Sequence, residues 1–300
     1  MKACSGWRAA AGRPEWQAIK ALPCHAVSRA MGRLAGLRLP RWFVRQQIRL
    51  FCARFGVDCR EFREPKGGFA SLQEFFTRRP RPGIRPIDAN QNSVISPCDG
   101  VWSGYGRVTP GGSLTVKGRR YSLAELLGHP IHSEWFAQAR YALFYLSPGD
   151  CHRFYAPLAG RLMQASYVPG TLWPIRVRVR RAEGRFGTNE RLVLLFRCGP
   201  RPNDILALVA IGAMLVGKIH LCSEFGFDPL ARGGSPHQLT YKGSGKAIRK
   251  GQELGCFAFG SSILLIAPEH LCKLRGRKQG TPVRIGRAIG TREAPWSAVA

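Results

Sequence analysis

Acidic residues are scarce in this sequence. Its 300 residues hold 18 Asp and Glu against 46 Lys and Arg, a formal charge of +28 at pH 7. That balance excludes an acidic surface and leaves a chain drawn to polyanions. Nucleic acid and anionic lipid are the two obvious partners of that sign. The arginines are spread along the whole chain, so a generally arginine-rich solvated surface explains much of the excess as well as either partner does.

Other absences narrow the reading. No uninterrupted apolar stretch of about 18 to 20 residues occurs, so no membrane-spanning helix is expected. The longest apolar run, Ile205 to Val216, is too short and is broken at Gly212, which suits buried strands. The opening MKACSGWRAA lacks the apolar core of a secretory signal, and none is expected. The ten cysteines include no CxxC and no Cys/His zinc-finger spacing, so neither a metal site nor a disulfide framework is expected. Cys52, Cys198, Cys222 and Cys256 sit in apolar runs, where a free thiol behaves as a small hydrophobe, and a reducing compartment follows. No zinc-finger, helix-turn-helix, RNP or KH signature supports a nucleic-acid partner, and none is expected. There is no repeat and no block of disorder-type composition. With 45% hydrophobic residues, the chain can bury a sizeable core in one or two domains.

What is present reads as two unequal parts. Residues 1–14 form a loose tail, and a helical pattern runs from Glu15 to about Val57. Within Trp42–Phe55, the residues Val44, Ile48, Phe51, Cys52 and Phe55 fall on one helix face, with Arg41, Arg45 and Arg49 in a row beside it. Such a stripe suits either a helix lying in a membrane interface with its arginines reaching phosphates, or a helix packed on its own core. A short helix is expected at Leu72–Phe76 and another at Ser122–Leu127. From Val94 onward, short apolar segments alternate with Gly/Pro/Asn/Asp turns and read as strands. The clearest are Tyr141–Leu146, Ile175–Arg180, Leu192–Arg197, Ile205–Ala210 and Ile263–Ala267, and in Ile175–Arg180 apolar and basic residues alternate face by face. The expected fold class is α+β. Residues 1–60 would form a tail and membrane-associating helices, and residues 61–300 a β-rich catalytic body.

Three segments hold residues able to carry chemistry. Ser261 lies in Phe259-Gly260-Ser261-Ser262, which by itself reads as a tight turn between apolar segments. Asp99 lies in Ser96-Pro97-Cys98-Asp99-Gly100, an Asp-Gly turn after a short strand. Asp150 and His152 lie in Ser147-Pro148-Gly149-Asp150-Cys151-His152, a loop after an apolar strand. This is either an acid–base pair or a locally satisfied histidine.

Taken in order, these segments resemble the phosphatidylserine decarboxylase family. Phe75-Phe76-Thr77-Arg78 with Arg85-Pro86-Ile87-Asp88 is similar to its F-F-x-R…R-P-I-D signature, and Ser96–Gly100 to its S-P-A-D-G loop. Tyr145–Asp150 with His152, Arg153 and Pro157 is similar to its Y-L-S-P-x-D-Y-H-R-x-H-x-P loop. Asn189-Glu190-Arg191, the segment Val209–Ile219, and Lys250–Gly255 with Phe259–Ser262 resemble its remaining blocks. The resemblance runs from about residue 20 to 290; its specificity lies in the order of the blocks.

The resemblance implies a self-processing enzyme. The Ser261 hydroxyl would attack the Gly260 carbonyl and shift the peptide to an ester. Elimination and hydrolysis would then leave a pyruvoyl cofactor derived from Ser261 at the head of a small chain, residues 261–300, beside a large chain, residues 1–260. Glycine at 260 suits the close approach this needs. The pyruvoyl ketone would form a Schiff base with the amine of phosphatidylserine and act as electron sink while CO2 leaves, giving phosphatidylethanolamine. His152 is implied as the proton donor, and Asp99 with Asp150 as parts of the cleavage apparatus. The resemblance also implies a homodimer, peripheral on the cytoplasmic face of the cell membrane and attracted to its anionic surface.

Cys151 stands where the family usually has Tyr and Ser262 where it has Thr, but one departure matters more. The family loop carries a second His three residues after the first, the group that activates the cleavage serine, and here that position is Tyr155. A phenol with a reference pKa of about 10 is a poor base near neutrality. Three outcomes stand open: cleavage assisted by His152 or Asp150, slow cleavage, or a non-catalytic relative that binds anionic lipid or an active paralogue.

Overall fold

A computed structural model describes residues 24–116, 118–128, 133–136, 138–172, 186–213, 218–258 and 261–293. The helical pattern before residue 24 and the alternating segment Ile175–Arg180 lie outside the described residues.

The described α-helices are α1 (Cys24–Gly36), α2 (Arg41–Phe55), α3 (Leu72–Phe76) and α4 (Leu123–Leu127). The strands are β1 (Ser93–Ile95), β2 (Gly100–Arg107), β3 (Ser113–Val116), β4 (Arg119–Ser122), β5 (Ala139–Leu146), β6 (Arg153–Tyr155), β7 (Gly160–Val168), β8 (Arg191–Arg197) and β9 (Ile205–Gly212). They continue with β10 (Ile219–Leu221), β11 (His237–Thr240), β12 (Lys246–Ile248), β13 (Glu253–Phe257), β14 (Ser261–Pro268), β15 (Cys272–Leu274), β16 (Pro282–Val283) and β17 (Ala288–Arg292). The fold class is α+β, as the sequence pattern indicates.

One antiparallel sheet organises the molecule, in the order β11–β7–β8–β9–β14–β5–β2–β16, with β12 also paired to β7. Both faces are covered, so the inner strands read as continuous apolar runs rather than as alternating ones. Leu192, Leu194, Ala210 and Ile263 belong to the core on one face. Val193, Leu195, Val209 and Leu264 belong to the core on the other. Every residue of β9 is buried, and full burial of one Leu, Ile or Val side chain contributes about 1.5–3 kcal/mol. A smaller sheet, β10–β13–β6, packs on the first face through Phe154, Ile219, Leu254 and Phe257. A third, β1–β17–β15, and the hairpin β3–β4 complete the described strands.

The structure decides between the two readings of the apolar stripe on α2. Val44 is fully buried and packs with Ile48, Phe51 and Cys52 against Phe69, Leu72 and Phe75. The reason lies in α3. Ser71 caps it by accepting the Glu74 N–H at 3.1 Å, while the Glu74 carboxylate reaches back to the Ala70 N–H at 2.6 Å, one residue before the N-cap, a variant of the capping box that Ser71-Leu72-Gln73-Glu74 spells. So fixed, α3 turns Phe75 and Phe76 toward Phe51, whose ring lies 5.9 Å from each. The stripe is therefore core-facing, and of its members Phe55 alone is classed as exposed. Arg41 is likewise engaged, donating to the Gly68 carbonyl at 3.0 Å. A different apolar set points outward: Trp42 is 68% exposed and Leu50 73%, joined by Phe43 and, on or just after α1, by Met31, Leu34 and Leu37.

The cysteines also divide. Cys198 is buried, but Cys52, Cys222 and Cys256 are only half-buried, so the small-hydrophobe reading holds fully for the first alone.

Candidate active site

The site forms where β5 ends. Beyond Leu146 the chain turns through Ser147–His152, and the turn closes on itself. The Asp150 carboxylate accepts the Ser147 N–H at 2.6 Å, and the Ser147 carbonyl accepts the Asp150 N–H at 2.9 Å. His152 Nε2 lies 3.1 Å from the same carbonyl. A carbonyl only accepts, so Nε2 carries the proton and Nδ1 is left with a lone pair. Nδ1 is buried and has no hydrogen-bond partner among the described residues. The imidazole is fully buried, with Phe76 at a centroid distance of 4.2 Å. Burial, with the nearby Arg78 charge, holds its pKa down at about 3, so the ring is neutral.

Arg78 fastens this loop from below. Its guanidinium is buried and lies over the rings of Phe62 and Phe75, 4.3 and 4.5 Å from their centroids. It donates to the Gly149 carbonyl at 2.7 Å and to the Asp150 carbonyl at 3.1 Å. The Asp150 carboxyl is pushed up to about 6, first by burial, with the Asp99 charge adding to the rise and the Ser147 N–H opposing it.

Asp99 reaches the site through its glycine. Gly100 has φ 148°, and a Cβ there would sit 2.3 Å from the Tyr145 carbonyl oxygen, so only glycine lets the turn approach the end of β5. The Asp99 carboxylate accepts Arg85 Nε at 3.0 and 3.1 Å and the Ile285 N–H at 2.9 Å. Arg85 also binds Glu61 at 2.8 Å. Tyr155 stands on β6, held to the same turn by its N–H on the Pro97 carbonyl at 2.8 Å. Burial raises its phenol well above the usual range, and neighbouring Cys151 and Glu253 push it further.

Ser261 is the first residue of β14. Across the sheet its partners are Gly212 on β9 and Leu146 on β5, the residue before the Ser147–His152 loop. The register thus brings position 261 to the loop that holds Asp150 and His152. Gly260 lies outside the described residues. The tight turn expected around Gly260-Ser261-Ser262 is, from 261 onward, a strand in the middle of the sheet.

Sequence reasoning assigned no role to Glu190. It precedes β8 and is buried, with Oε2 accepting the Tyr167 hydroxyl at 3.2 Å and Oε1 without a partner among the described residues. Its Cγ lies 3.5 Å from where a Cβ on Gly212 would be. The flanking residues fix it in place. Asn189 Nδ2 donates to the Gly212 carbonyl at 2.8 Å, and Arg191 donates from Nε to the Leu126 carbonyl at 2.8 Å. The only sequence signal was its place in the Asn189-Glu190-Arg191 block.

The family model described as phosphatidylserine decarboxylase matches residues 72–291. Over 280 residues the chain is 37% identical to a protein of Anaeromyxobacter sp. (strain K) named phosphatidylserine decarboxylase proenzyme, covering 91% of this chain and 96% of that one. A protein of the same name from Nitrosococcus oceani is 38% identical over 276 residues, 90% of this chain and 88% of its own. One from Brevibacillus brevis is 31% identical over 279 residues, 92% and 97% of the two chains.

Proposed function

The chain belongs to the phosphatidylserine decarboxylase family, and from that premise we propose that it removes the carboxylate of phosphatidylserine as CO2, leaving phosphatidylethanolamine, after cutting its own backbone between Gly260 and Ser261. The observation that supports this most directly is the register of β14, which sets position 261 between Gly212 and the end of β5.

The pyruvoyl group made from Ser261 would supply the ketone that engages the substrate's amine and draws electrons from the carbon losing CO2. The surroundings fit such a group. Gly212 leaves the sheet face beside position 261 without a side chain, and His152 Nδ1 and Glu190 Oε1 are buried polar atoms without partners among the described residues. His152 is neutral and presents a lone pair, so it accepts a proton before it can donate one. The substrate's ammonium must shed a proton to react. With its pKa held at about 3, Nδ1 would take such a proton only when the negative charge of the bound substrate raises that value, and would then deliver it to the carbon that lost CO2. Asp150 and Arg78 hold the loop in place for this transfer, and Asp99 and Asp150 belong to the cleavage apparatus.

The experiment is electrophoresis under denaturing conditions with intact-mass measurement on the purified full chain. Two fragments divided at 260/261, the smaller bearing an α-keto terminus that a carbonyl-trapping reagent captures, support the reading. A single full-length species after long incubation overturns it.

A second reading has one observation in its favour. Tyr155 replaces the family's second His, and its phenol is driven further from the range of a base. On this reading the chain is cleavage-deficient and binds anionic lipid without catalysis. Tyr155→His separates the two: cleavage that appears only in the variant selects the second.

We further propose peripheral placement on the anionic cytoplasmic face of the cell membrane, with residues 1–60 as the membrane-associating part and 61–300 as the catalytic body. The outward set Trp42, Leu50 and Leu34 beside exposed arginines supports it. No described helix is long and apolar enough to cross a membrane. A homodimer is proposed on the family resemblance alone.

A further inference from the structure

The departure at Tyr155 leaves the cleavage step without the base the family uses, and the structure offers another. Side chains alternate along a strand, and paired positions on neighbouring antiparallel strands share a face. Leu192, Ala210 and Ile263 all belong to one core. Glu190 stands two residues before Leu192, Ser261 two before Ile263, and Gly212 two after Ala210. Positions 190, 212 and 261 therefore lie on that same face, at the same end of the sheet. Gly212 is the cross-strand partner of Ser261 and has no side chain. The Glu190 side chain lies over that gap, its Cγ 3.5 Å from the missing Cβ. One carboxyl oxygen is held by Tyr167, and the other is buried without a partner among the described residues. A buried, half-satisfied carboxyl calls for a role.

We propose that Glu190 is the proton acceptor for the Ser261 hydroxyl in the self-cleavage step. This rests on the self-processing reading above. The Ser261 Oγ–H proton passes to the Glu190 carboxylate as Oγ bonds to the Gly260 carbonyl carbon. The Gly260–Ser261 C–N bond breaks, and the proton returns from Glu190 to the freed Ser261 amine. The product is an ester, with no net change in protons or electrons.

The groups around Glu190 suit that task. Burial raises its carboxyl above the usual range, and the Tyr167 hydroxyl opposes the rise, which brings a carboxylate toward the strength of a working base. From β9 and β14 the neighbouring positions on its face are 212 and 261, a glycine and a serine, neither of them charged. Arg191 is directed elsewhere, to the carbonyls of Leu126 and Asn189. From β7 comes Tyr167, against which His237 of β11 packs at a centroid distance of 5.6 Å.

The test follows cleavage of freshly made full chain on denaturing gels across pH, with thermal melting as the control for folding. In the unaltered chain the cleavage rate rises with pH through the Glu190 titration and then levels. Glu190→Gln slows cleavage about 10²-fold or more and abolishes that rise, while Glu190→Asp restores part of the rate. Tyr167→Phe removes the hydrogen bond that favours the charged form, so the rising limb moves to higher pH. Gly212→Ala places a methyl group at ordinary contact distance from Glu190, keeps the fold and slows cleavage. If Glu190→Gln does not fold, Tyr167→Phe and Gly212→Ala decide. Cleavage with the same rate and pH profile in the unaltered chain and all folded variants overturns the role of Glu190 and leaves self-processing standing. Absence of cleavage in the unaltered chain overturns both.

Discussion

Phe76 and His152 lie in ring contact, their centroids 4.2 Å apart and their planes tilted by 34°. One comes from the short helix that also packs against α2, the other from the loop beside position 261. The contact seals one side of an imidazole whose Nε2 is already committed to the Ser147 carbonyl. It follows that the ring stays neutral with Nε2 protonated well below its ordinary titration range. Nitrogen NMR of the labelled imidazole should show an unprotonated Nδ1 and a protonated Nε2 from pH 8 down to pH 5. Truncation in Phe76→Ala opens that side to water, and the His152 midpoint moves up from about 3 toward 6.5. A midpoint unmoved in the folded variant would show that the seal lies elsewhere.

Asp150 sets a pH dependence of the opposite sign to that of His152. Its folded pKa, about 6, lies above the unfolded value near 3.8. The stability it contributes is therefore complete below the unfolded value and is lost as pH rises through about 6. His152, lowered from 6.5 to about 3, contributes stability that is present above 6.5 and lost as pH falls. Asp150→Asn keeps an oxygen able to accept the Ser147 N–H and removes the first effect alone. Urea unfolding at pH 4.5, 6 and 7.5 should show the variant gaining on the parent as pH rises across that window. A constant difference would count against the buried position of the carboxyl.

Arg85 and Asp99 form an ion pair with side chains only 8% and 6% exposed. Removing one member leaves a buried charge unmatched, which costs about 3–5 kcal/mol. Arg85→Met should lose stability on that scale in denaturant melts, and Arg85→Met with Asp99→Asn should recover much of it. The double variant separates holding the fold from any part Asp99 plays in cleavage. If it is as stable as the parent and still fails to cleave, the carboxylate acts on the reaction itself.

The sequence made the main strands legible because each is a short apolar run between turn residues. Leu192–Arg197 and Ile205–Ala210 were placed to within two residues of β8 and β9. Short range also sufficed for α3, whose start is spelled by Ser71 and Glu74. What stayed hidden was whatever depends on pairing between distant segments. Nothing local distinguishes Ser261 in a turn from Ser261 opening a central strand; that depends on Gly212 and Leu146, far away in the chain. Glu190 was invisible for the same reason, since its carboxyl matters only because residue 212 has no side chain. Periodicity likewise found the apolar stripe of α2 but could not say what covers it. The cover, Phe69 and Phe75, comes from a later segment, α3 and the loop that leads into it.

The two apolar sets on α2 make separable predictions. Val44 has no exposure and packs on Phe75, whereas Trp42 and Leu50 project outward. If a lipid surface meets the outward set, Trp42 fluorescence shifts to the blue on adding vesicles rich in anionic phospholipid, and less on neutral ones. Moving one such side chain from water into an apolar medium contributes up to about 1.5–3 kcal/mol. Trp42→Ala with Leu50→Ala should therefore weaken vesicle partitioning by about 10- to 100-fold while the melting temperature changes little. Val44→Ala should do the reverse, lowering stability and leaving partitioning of the folded protein unchanged. The arginines near this set add an electrostatic part that salt screens, so partitioning should fall as ionic strength rises. Should Trp42→Ala with Leu50→Ala partition like the parent at low salt, this face of α2 is not the one that meets the membrane.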